Sequence, residues 1–408
     1  KVVIAGASFG GLTVARGIAG TGVDVTVVEP RDFFEYTPGV LHCFAKPGHY
    51  TALVAPIADC VPRGVRLLPG VVTGADAREV QVEGAAGAQA VPYDVLVVAT
   101  GSSYGGGMKA APTDRSAADR LAGLREDAQR LEKAKSVLVV GGGAVGVELA
   151  AEIVYAYAHL RNHVTLATSA PALLVDLPPA VGAAAATWLT SHGCTVVLNS
   201  RATAVDGSQG TFAVGDIHLT PDAVFMCVGG HPNVSFLGGL AKVERHGVRV
   251  GDSLALPESS VFVIGDAAVH SSPSGLASVA EFQGKVRPRF AGIAEAYALT
   301  VCLQLVAKAI KSRCKGQPVA IRYPHDLTRS AAPTVECISL GPHEAIVVFN
   351  RITLTSAIGR RVGGVLKAVI EVTKVLQVKG WRWADWFWGF GDAVTFALSR
   401  TLVKPTPA

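Results

Sequence analysis

The chain has 408 residues, of which half are apolar and 17% are charged. This length and composition suffice to bury the cores of two or three domains, and they exclude a chain that is disordered throughout. No stretch of about 18 apolar residues runs without a break, which argues against a membrane-spanning helix. The seven cysteines form no C-x-x-C or C-x-x-x-x-C pair. We therefore expect reduced thiols in an intracellular protein, no metal site and no redox-active dithiol.

Positive charge is concentrated at the end of the chain. The net charge is +5, but residues 351–408 hold nine Lys and Arg against three Asp and Glu, a local net of +6. The same segment contains four of the five tryptophans, Trp381, Trp383, Trp386 and Trp388. The chain opens with Lys1 rather than Met, already on a predicted strand, so we expect the native N-terminus and any targeting signal to lie upstream.

Residues 1–29 have the pattern of a dinucleotide-binding unit. An apolar strand over Val2–Ala5 precedes a turn of small residues, a helical run follows over Leu12–Ala19, and a second apolar strand, Val23–Val28, ends at Glu29. Small residues let the backbone approach a pyrophosphate, and the helix start offers unpaired N–H groups. Glu29 is placed to accept a hydrogen bond from a ribose hydroxyl. The expected binding residues of the turn are Gly6, Ala7, Ser8, Phe9, Gly10 and Gly11, with Ser8 where the pattern has its second glycine.

A second copy of this pattern begins at residue 136. A strand over Ser136–Val140 leads into a turn that carries all three glycines of the fingerprint, and a helix over Val147–Tyr157 follows. Thr168 stands where the first copy has Glu29. Because a carboxylate would repel a 2′-phosphate, its loss permits NADPH as well as NADH. The binding residues expected here are Gly141, Gly143, Ala144, Val145, Gly146 and Thr168.

Three shorter segments fit the same architecture. Val95–Gly101 and Ala223–Gly230 are each a buried strand that ends in a turn of small residues, and Ser260–Asp266 is a strand that ends in an acid. Asp266 is expected to accept hydrogen bonds from a polyol chain, with a turn-capping role as the alternative. The other nucleotide contacts expected at these strand ends are Thr100, Gly101 and Gly229.

These motifs, in this order, resemble those of the two-dinucleotide-domain flavoprotein reductases over roughly residues 1–310. Within that group the chain is most similar to the AIF-like ferroptosis-suppressor quinone reductases and next to the type II NADH dehydrogenases. Ala277–Gly284 is similar to the quinone-site motif A-Q-x-A-x-Q-Q-G of the dehydrogenases, but differs at two of its glutamines. The other marks of the resemblance are Gly141–Glu152, Ile264–Ala267 and Tyr36–Pro38.

The resemblance implies an α/β fold with two Rossmann-like dinucleotide-binding domains, for FAD and for NAD(P), and a C-terminal α+β interface domain. It places the FAD domain at residues 1–112 and 240–312, the NAD(P) domain at 113–239 and the C-terminal domain at 313–408. It implies FAD as cofactor and NADH or NADPH as co-substrate. It adds to the FAD-binding residues Arg31, Pro38, His42, Val72 and Ala277, of which His42 has packing as its alternative role.

The resemblance also implies an activity. We expect NAD(P)H to deliver hydride to the flavin and two electrons to pass on to a lipid-soluble quinone. Glu148, on the first turn of the second helix, would orient the nicotinamide or relay a proton, whereas Glu152, one turn later, is expected to be structural. The missing dithiol argues against disulfide substrates and against sulfide:quinone chemistry. Two alternatives stay open, a reductase of a soluble electron carrier and an AIF-like redox-signalling or nucleic-acid-binding flavoprotein.

The end of the chain predicts a membrane-associated or interface segment. Trp and basic side chains favour the boundary of a membrane. We therefore expect a monotopic element on a mitochondrial or other organelle or lipid surface, through which quinone reaches the flavin. Packing against the body or against a homodimer partner is the alternative, and the absence of a groove-reading motif argues against nucleic acid. Apolar residues at helical spacing, Val362, Val365, Leu366, Val369 and Leu376, alternate with a charged face of Lys367, Glu371 and Lys374.

Overall fold

The computed structural model describes residues 1–205, 210–251, 253–270, 306–313, 335–350 and 352–388, and the single residues 315, 317, 390 and 394. Within these residues, two parallel β-sheets with helices packed on them and a C-terminal antiparallel sheet make a mixed α/β fold. The fold class predicted from the sequence is confirmed. Strands and helices are numbered below in chain order.

The first parallel sheet has five strands. In spatial order they are Val261–Val263 (β21), Val95–Val98 (β9), Val2–Ala5 (β1), Val25–Glu29 (β2) and Arg66–Pro69 (β5). β1 and β9 are apolar and buried along their whole length, as expected of parallel strands that are covered on both faces. Helix α1, Phe9–Ile18, follows β1 and buries Leu12, Val14 and Ile18.

The second parallel sheet has four strands. In spatial order they are Cys194–Val197 (β13), Val164–Ala167 (β12), Val137–Val140 (β11) and Ala223–Met226 (β17). Helix α5, Ala144–Ala156, follows β11 and is buried all round from residue 144 to 154. The other helices here are α4, Ala117–Lys133, which begins in a capping box of Ser116 and Asp119, and α6, Pro179–Ser191.

Short elements connect and flank the two sheets. Ser102–Ser103 (β10) pairs with His231–Pro232 (β18), which joins the segments that leave β9 and β17. The short helices are α2 (Tyr50–Leu53), α3 (Ile57–Cys60) and the 3-10 helices Thr37–Phe44, Pro47–His49, Ala158–Leu160, Ser235–Leu237 and Gly265–Ala267. The remaining strands are β3 (Phe33–Glu35), β4 (Val54–Pro56), β6 (Val71–Ala75), β7 (Glu79–Gly84), β8 (Gly87–Pro92), β14 (Ala202–Ala204), β15 (Phe212–Val214), β16 (Ile217–Leu219), β19 (Val243–Glu244), β20 (Gly247–Val250) and β22 (Ala268–His270).

The C-terminal unit is an antiparallel sheet with one long helix across it. Its strands are Val335–Leu340 (β23), Glu344–Phe349 (β24) and Ile352–Leu354 (β25), and its helix is α7, Ala357–Val378. Two buried glycines, Gly363 and Gly364, let the backbone of α7 approach β24, because a Cβ on Gly363 would lie 2.2 Å from the carbonyl oxygen of Ala345.

Helix α7 buries two charged side chains beside Ile370 and Val375, and it exposes several apolar ones. The side chains of Glu371 and Lys374 are buried, whereas Val362, Val365 and Val372 are 55%, 67% and 53% exposed. Exposed apolar patches of this kind mark surfaces that contact another protein or a membrane. Within the described part of the chain, no helix combines the length and the apolar character that crossing a membrane requires.

The helical glycines give a matched stability test. Gly363→Ala is expected to lower the free energy of unfolding by about 2–3 kcal/mol, because the added methyl meets a strand carbonyl that cannot yield. Gly123→Ala, in α4, should raise it by up to about 1 kcal/mol, because nothing lies within 4 Å of the new methyl and Ala is the better helix former. Urea unfolding of both variants measures the difference, and equal midpoints would contradict the close contact between α7 and β24.

Candidate active site

The first glycine turn is shaped by two close backbone approaches. Gly6 has φ +104°, and a Cβ on it would lie 2.4 Å from the carbonyl oxygen of Ala99. A Cβ on Gly11 would lie 1.8 Å from the carbonyl oxygen of Gly6. Both positions therefore require glycine. The turn brings the N-terminus of α1 to the carboxyl end of β1, the place where open parallel sheets bind ligands.

Ser8 occupies a position that tolerates a side chain. It is the N-cap of α1, is exposed, and has the extended dihedrals φ −93° and ψ −159°. Its counterpart Gly143 is the N-cap of α5, also extended, and a Cβ there would meet nothing within 4 Å. The departure from the glycine pattern at Ser8 therefore leaves the turn intact. Helix α1 begins at Phe9, three residues earlier than predicted, so Phe9 and Gly10 lie in its first turn. The Phe9 ring packs edge-on against Phe34.

Glu29 lies directly beside this turn. Its side chain is buried, one carboxylate oxygen accepts a hydrogen bond from the backbone N–H of Ala7 at 2.8 Å, and the other accepts one from the N–H of Arg31 at 3.1 Å. Burial raises the pKa of Glu29, although the Arg31 charge and these N–H groups oppose it. Each oxygen keeps a lone pair, so the carboxylate can still accept from a hydroxyl.

The second glycine turn repeats this geometry at the end of β11. Gly141 has φ +126°, with its Cβ position 2.3 Å from the carbonyl oxygen of Cys227, and the Cβ position of Gly146 is 1.9 Å from the carbonyl oxygen of Gly141. Ala144 and Val145 are the first residues of α5 and are buried. Thr168, directly after β12, is buried, and its hydroxyl accepts a hydrogen bond from the N–H of Ala170. The side chain at this position is thus uncharged.

Asp266 is held by two side chains from the segment after β9. Lys109 Nζ and Ser102 Oγ each donate to the same carboxylate oxygen, both at 2.7 Å. These two donors leave the second carboxylate oxygen of Asp266 unused, and the side chain is 26% exposed. Sequence reasoning missed Lys109, because no motif marks a lysine 157 residues from its partner.

The other expected FAD and nucleotide residues lie on several different elements. Thr100 Oγ1 donates to the carbonyl oxygen of Asn233, and Gly101 and Gly229 both have positive φ. Val72 lies on β6, and Pro38 is in the 3-10 helix Thr37–Phe44. Ala277, with the rest of the segment Ala277–Gly284, lies outside the described residues.

Glu148 is the fifth residue of α5, so it lies on the second helical turn and not on the first as predicted. It is buried against the C-terminal sheet, where its Oε1 accepts a hydrogen bond from the backbone N–H of Ser339 at 3.0 Å. Burial raises the pKa of Glu148 to about 7, even though Lys367 and the Ser339 N–H lower it. Glu148 is therefore a carboxyl group that can exchange a proton near neutral pH.

Lys367 of α7 supplies the positive charge beside Glu148. Its Nζ donates to Ser339 Oγ at 2.5 Å. Burial acts to lower the pKa of Lys367, but Glu148, Glu152 and Glu371 outweigh it, so the net shift is upward and the amine keeps its proton. The sequence did group Lys367 with Glu371 on one helix face, but it could not indicate that this face is the one turned inward.

His42 and Glu152 form a second pair, one helical turn further along α5 than Glu148. His42 Nδ1 lies 2.9 Å from Glu152 Oε2, and the side chain of Glu152 is only 1% exposed. The expected structural role of Glu152 stays a prediction. The expected role of His42 at FAD also stays a prediction, since the contact that the structure adds is with a carboxylate.

A scan against protein-family models matches residues 1–291 to the pyridine nucleotide-disulphide oxidoreductases. The chain belongs to this family. Its glycine turns, the acid after β2 and the strand ends described above all lie within the matched residues.

Individual relatives are similar over parts of the chain. Ferroptosis suppressor protein 1 of Xenopus tropicalis is 27% identical over 67% of this chain and 75% of its own length. The type II NADH:quinone oxidoreductase NdhA of Mycobacterium tuberculosis is 30% identical over 50% of this chain and 51% of its own. Fe-regulated protein 8 of Mycosarcoma maydis is 36% identical over 36% of this chain, and the match spans 37% of that relative.

Two solved structures share the fold across nearly the whole chain. The sulfide:quinone oxidoreductase of Aquifex aeolicus superposes with a TM-score of 0.69 at 16% identity, covering 93% of this chain and 91% of that one. NDH2 of Plasmodium falciparum in complex with NADH superposes with a TM-score of 0.65 at 13% identity, covering 99% of both chains. At these identities the likeness describes the fold and not the chemistry.

Proposed function

We propose that this protein is an FAD-dependent NAD(P)H:quinone oxidoreductase. The observation that carries the proposal is Glu148, a buried carboxyl group with a pKa near 7 that follows the second glycine turn and faces Lys367. A quinone needs protons as well as electrons, and a group of this kind can provide one. The quinone oxidoreductases among the relatives support the same choice of substrate.

The cysteines support a quinone over a disulfide substrate. Cys43, Cys60, Cys194, Cys227 and Cys337 are buried, and none of them forms a disulfide with another described cysteine. Burial raises the pKa of the Cys43 and Cys227 thiols far above neutrality. Since the thiolate is the reactive form, these groups are poorly suited to exchange with a disulfide.

The first glycine turn fits an FAD molecule. Ser8 at the helix N-terminus is exposed, Gly6 and Gly11 permit the close backbone approaches that form the turn, and Glu29 keeps lone pairs for a ribose. Asp266 would accept from the ribityl chain. Bound FAD would supply two-electron redox chemistry that no side chain of this protein can perform. We propose that it is held by residues 1–112 and 240–312, since β21 lies beside β9 in the first sheet.

The second glycine turn, in a domain that we place at residues 113–239, would hold the pyridine nucleotide. Thr168 presents a hydroxyl where Glu29 presents a charge in the first copy, which leaves room for either NADH or NADPH. Residues 313–408 would form the third domain. Its contact with α5 includes the hydrogen bond that the Ser339 N–H donates to Glu148.

The exposed row on α7 and the tryptophans after it would rest on a membrane. Trp381, Trp383 and Trp386 are about half or more exposed, whereas Trp388 is buried under Lys374 Nζ, which lies 3.6 Å from its ring centroid. Three tryptophans and the valines of α7 therefore present an apolar surface, with Arg361, Lys379 and Arg382 available to anionic headgroups. The same surface on a second copy of the chain, a homodimer, is the alternative partner.

The central test is the reaction itself. Purified protein should carry flavin absorbance, which NADH or NADPH bleaches and a short-chain ubiquinone or menadione restores. Glu148→Gln should slow quinone turnover by about 10–100-fold while flavin stays bound. Glu126→Gln, exposed on α4, is the matched control. Protein that cannot be loaded with flavin would refute the proposed function.

The pH profile follows from Glu148. An acid with a raised pKa keeps its proton below about pH 7 and loses it above, so quinone turnover should fall as the pH rises through about 7. Glu148→Gln should remove this limb of the profile. A limb that persists unchanged in the variant would assign the titration to another group.

Coenzyme choice can be tested at Thr168. Thr168→Glu places a carboxylate where Glu29 stands in the first turn, and its charge should repel a 2′-phosphate. We expect kcat/KM for NADPH relative to NADH to fall by about tenfold or more. Thr190→Glu, exposed on α6, should leave the ratio unchanged. An unchanged ratio in Thr168→Glu would mean that the ribose of the nucleotide lies elsewhere.

Membrane association can be tested on the surface of α7. A double variant, Val365→Glu with Val372→Glu, should lose most binding to liposomes that contain anionic lipid, because two charges would have to enter the apolar boundary. Ile217→Glu, 45% exposed on β16, is the control. If the double variant co-sediments with liposomes as well as the control does, α7 is not the membrane surface. If the parent is a dimer and the double variant is a monomer, the exposed row of α7 serves self-association instead.

A further inference from the structure

Two histidine–carboxylate pairs lie side by side between the protein surface and α5. His42 Nδ1 lies 2.9 Å from Glu152 Oε2, and His49 Nε2 lies 2.6 Å from Glu371 Oε1. The two imidazole rings meet edge to face, with centroids 4.8 Å apart. The pairs come from three separate parts of the chain, the segment after β3, helix α5 and helix α7.

These groups form a gradient from solvent to interior. The His49 side chain is 26% exposed, His42 is 18% exposed, Glu371 is 10% exposed and Glu152 is 1% exposed. The second carboxylate oxygen of Glu152 is buried and accepts no hydrogen bond from the described residues. A buried carboxylate oxygen without a donor lowers the stability of the fold, because its lost hydration is not replaced. Such groups are rare, and a catalytic role is one of the explanations for them.

Glu152 lies one helical turn after Glu148, on the same side of α5. The two carboxylates influence each other, since Glu152 contributes to the raised pKa of Glu148. Lys367 faces both of them and Glu371 as well. The cluster therefore extends from His49, the most exposed member, to Glu148 in the interior.

We propose that His49, His42 and Glu152 carry protons from solvent to Glu148 during quinone reduction. The inference rests on the proposed function. In the balanced reaction, NAD(P)H and quinone with one proton yield NAD(P)⁺ and quinol. The hydride brings two electrons and one proton, so one further proton per turnover comes from solvent. It binds to the His49–Glu371 pair, passes to His42 and then to Glu152, and reaches a quinol oxygen through Glu148, which is reprotonated by the same route.

The ring geometry suits this role. His42 uses Nδ1 toward Glu152, so its Nε2 is left to take up a proton, and His49 uses Nε2 toward Glu371, so its Nδ1 is left to release one. Other charged and titratable groups face the route. On α5 and α7 these are Glu148 and Lys367, and around the 3-10 helix they are Tyr36, Cys43, Glu35 and Arg120.

Glu152→Gln tests the route, because it keeps the shape of the side chain but cannot carry a proton. Quinone turnover should fall by about tenfold or more, with the loss growing as the pH rises and protons become scarce. Flavin bleaching by NAD(P)H and turnover with ferricyanide, an acceptor that takes electrons without protons, should stay within about twofold of the parent. His49→Gln should show a smaller loss of the same kind, and His159→Gln, exposed on the surface, none.

Chemical rescue separates proton transfer from a packing role. Imidazole or formate in the medium should restore part of the quinone turnover of His49→Gln, because a small donor can replace the lost ring. Full quinone turnover in Glu152→Gln at high pH, or equal losses with quinone and ferricyanide, would overturn the proposal.

The ring tautomers supply a test that needs no turnover. Nitrogen-15 NMR should find the neutral ring of His42 protonated at Nδ1 and that of His49 protonated at Nε2, with the His42 signal altered in Glu152→Gln. The opposite tautomers would overturn the route whatever the enzyme reduces. If these tautomers are found but the parent protein reduces no quinone, the proposed function is wrong although the hydrogen-bond geometry of the two pairs is right.

Discussion

The site depends on how two carboxylates are accommodated inside a helix that is buried all round. Helix α5 follows the second glycine turn, and from residue 144 to 154 every residue on it is covered. Glu148 and Glu152 would each be strongly unfavourable there as lone charges. The C-terminal unit stabilises Glu148 with the Ser339 N–H and Lys367, and the segment after β3 places His42 beside Glu152. These contacts to the buried carboxylates join three separate parts of the chain.

This arrangement explains the unusual helix α7. A helix that turned Val362, Val365 and Val372 inward would leave Glu148 without a compensating charge, because Lys367 would then face solvent. The structure has the reverse, with the charged side chains inside and Val362, Val365 and Val372 outside. The close approach of α7 to β24 at Gly363 holds Lys367 at that depth. One helix thus has a polar face that serves the site and an apolar face that is available to a membrane or a partner.

The sequence predicts the parts of the fold that depend on residues close together in the chain. Both glycine turns, their strands and the acid after β2 follow short-range rules of backbone sterics, and the two Rossmann-like domains follow from the resemblance that these motifs carry. The start of α1 was placed at Leu12 and not at Phe9, because glycines were taken as turn residues although they lie in the helix. The partners of Glu148 and Glu152 could not be predicted, since they lie 191 and 110 residues away. Helical periodicity indicated which residues of α7 share a face, but not which face is buried.

The charge balance of the cluster links its position to its chemistry. Glu148, Glu152 and Glu371 all act on one amine, and together they raise the pKa of Lys367 against the effect of its burial. Burial raises the pKa of Glu148 to about 7, and the charge of Glu152 adds to this shift despite the adjacent lysine. On the proposed function, electrons would come from the nucleotides held at the glycine turns, and protons would come through His49, His42 and Glu152. The two supplies would then meet at Glu148, which follows the second glycine turn on the same helix as Glu152.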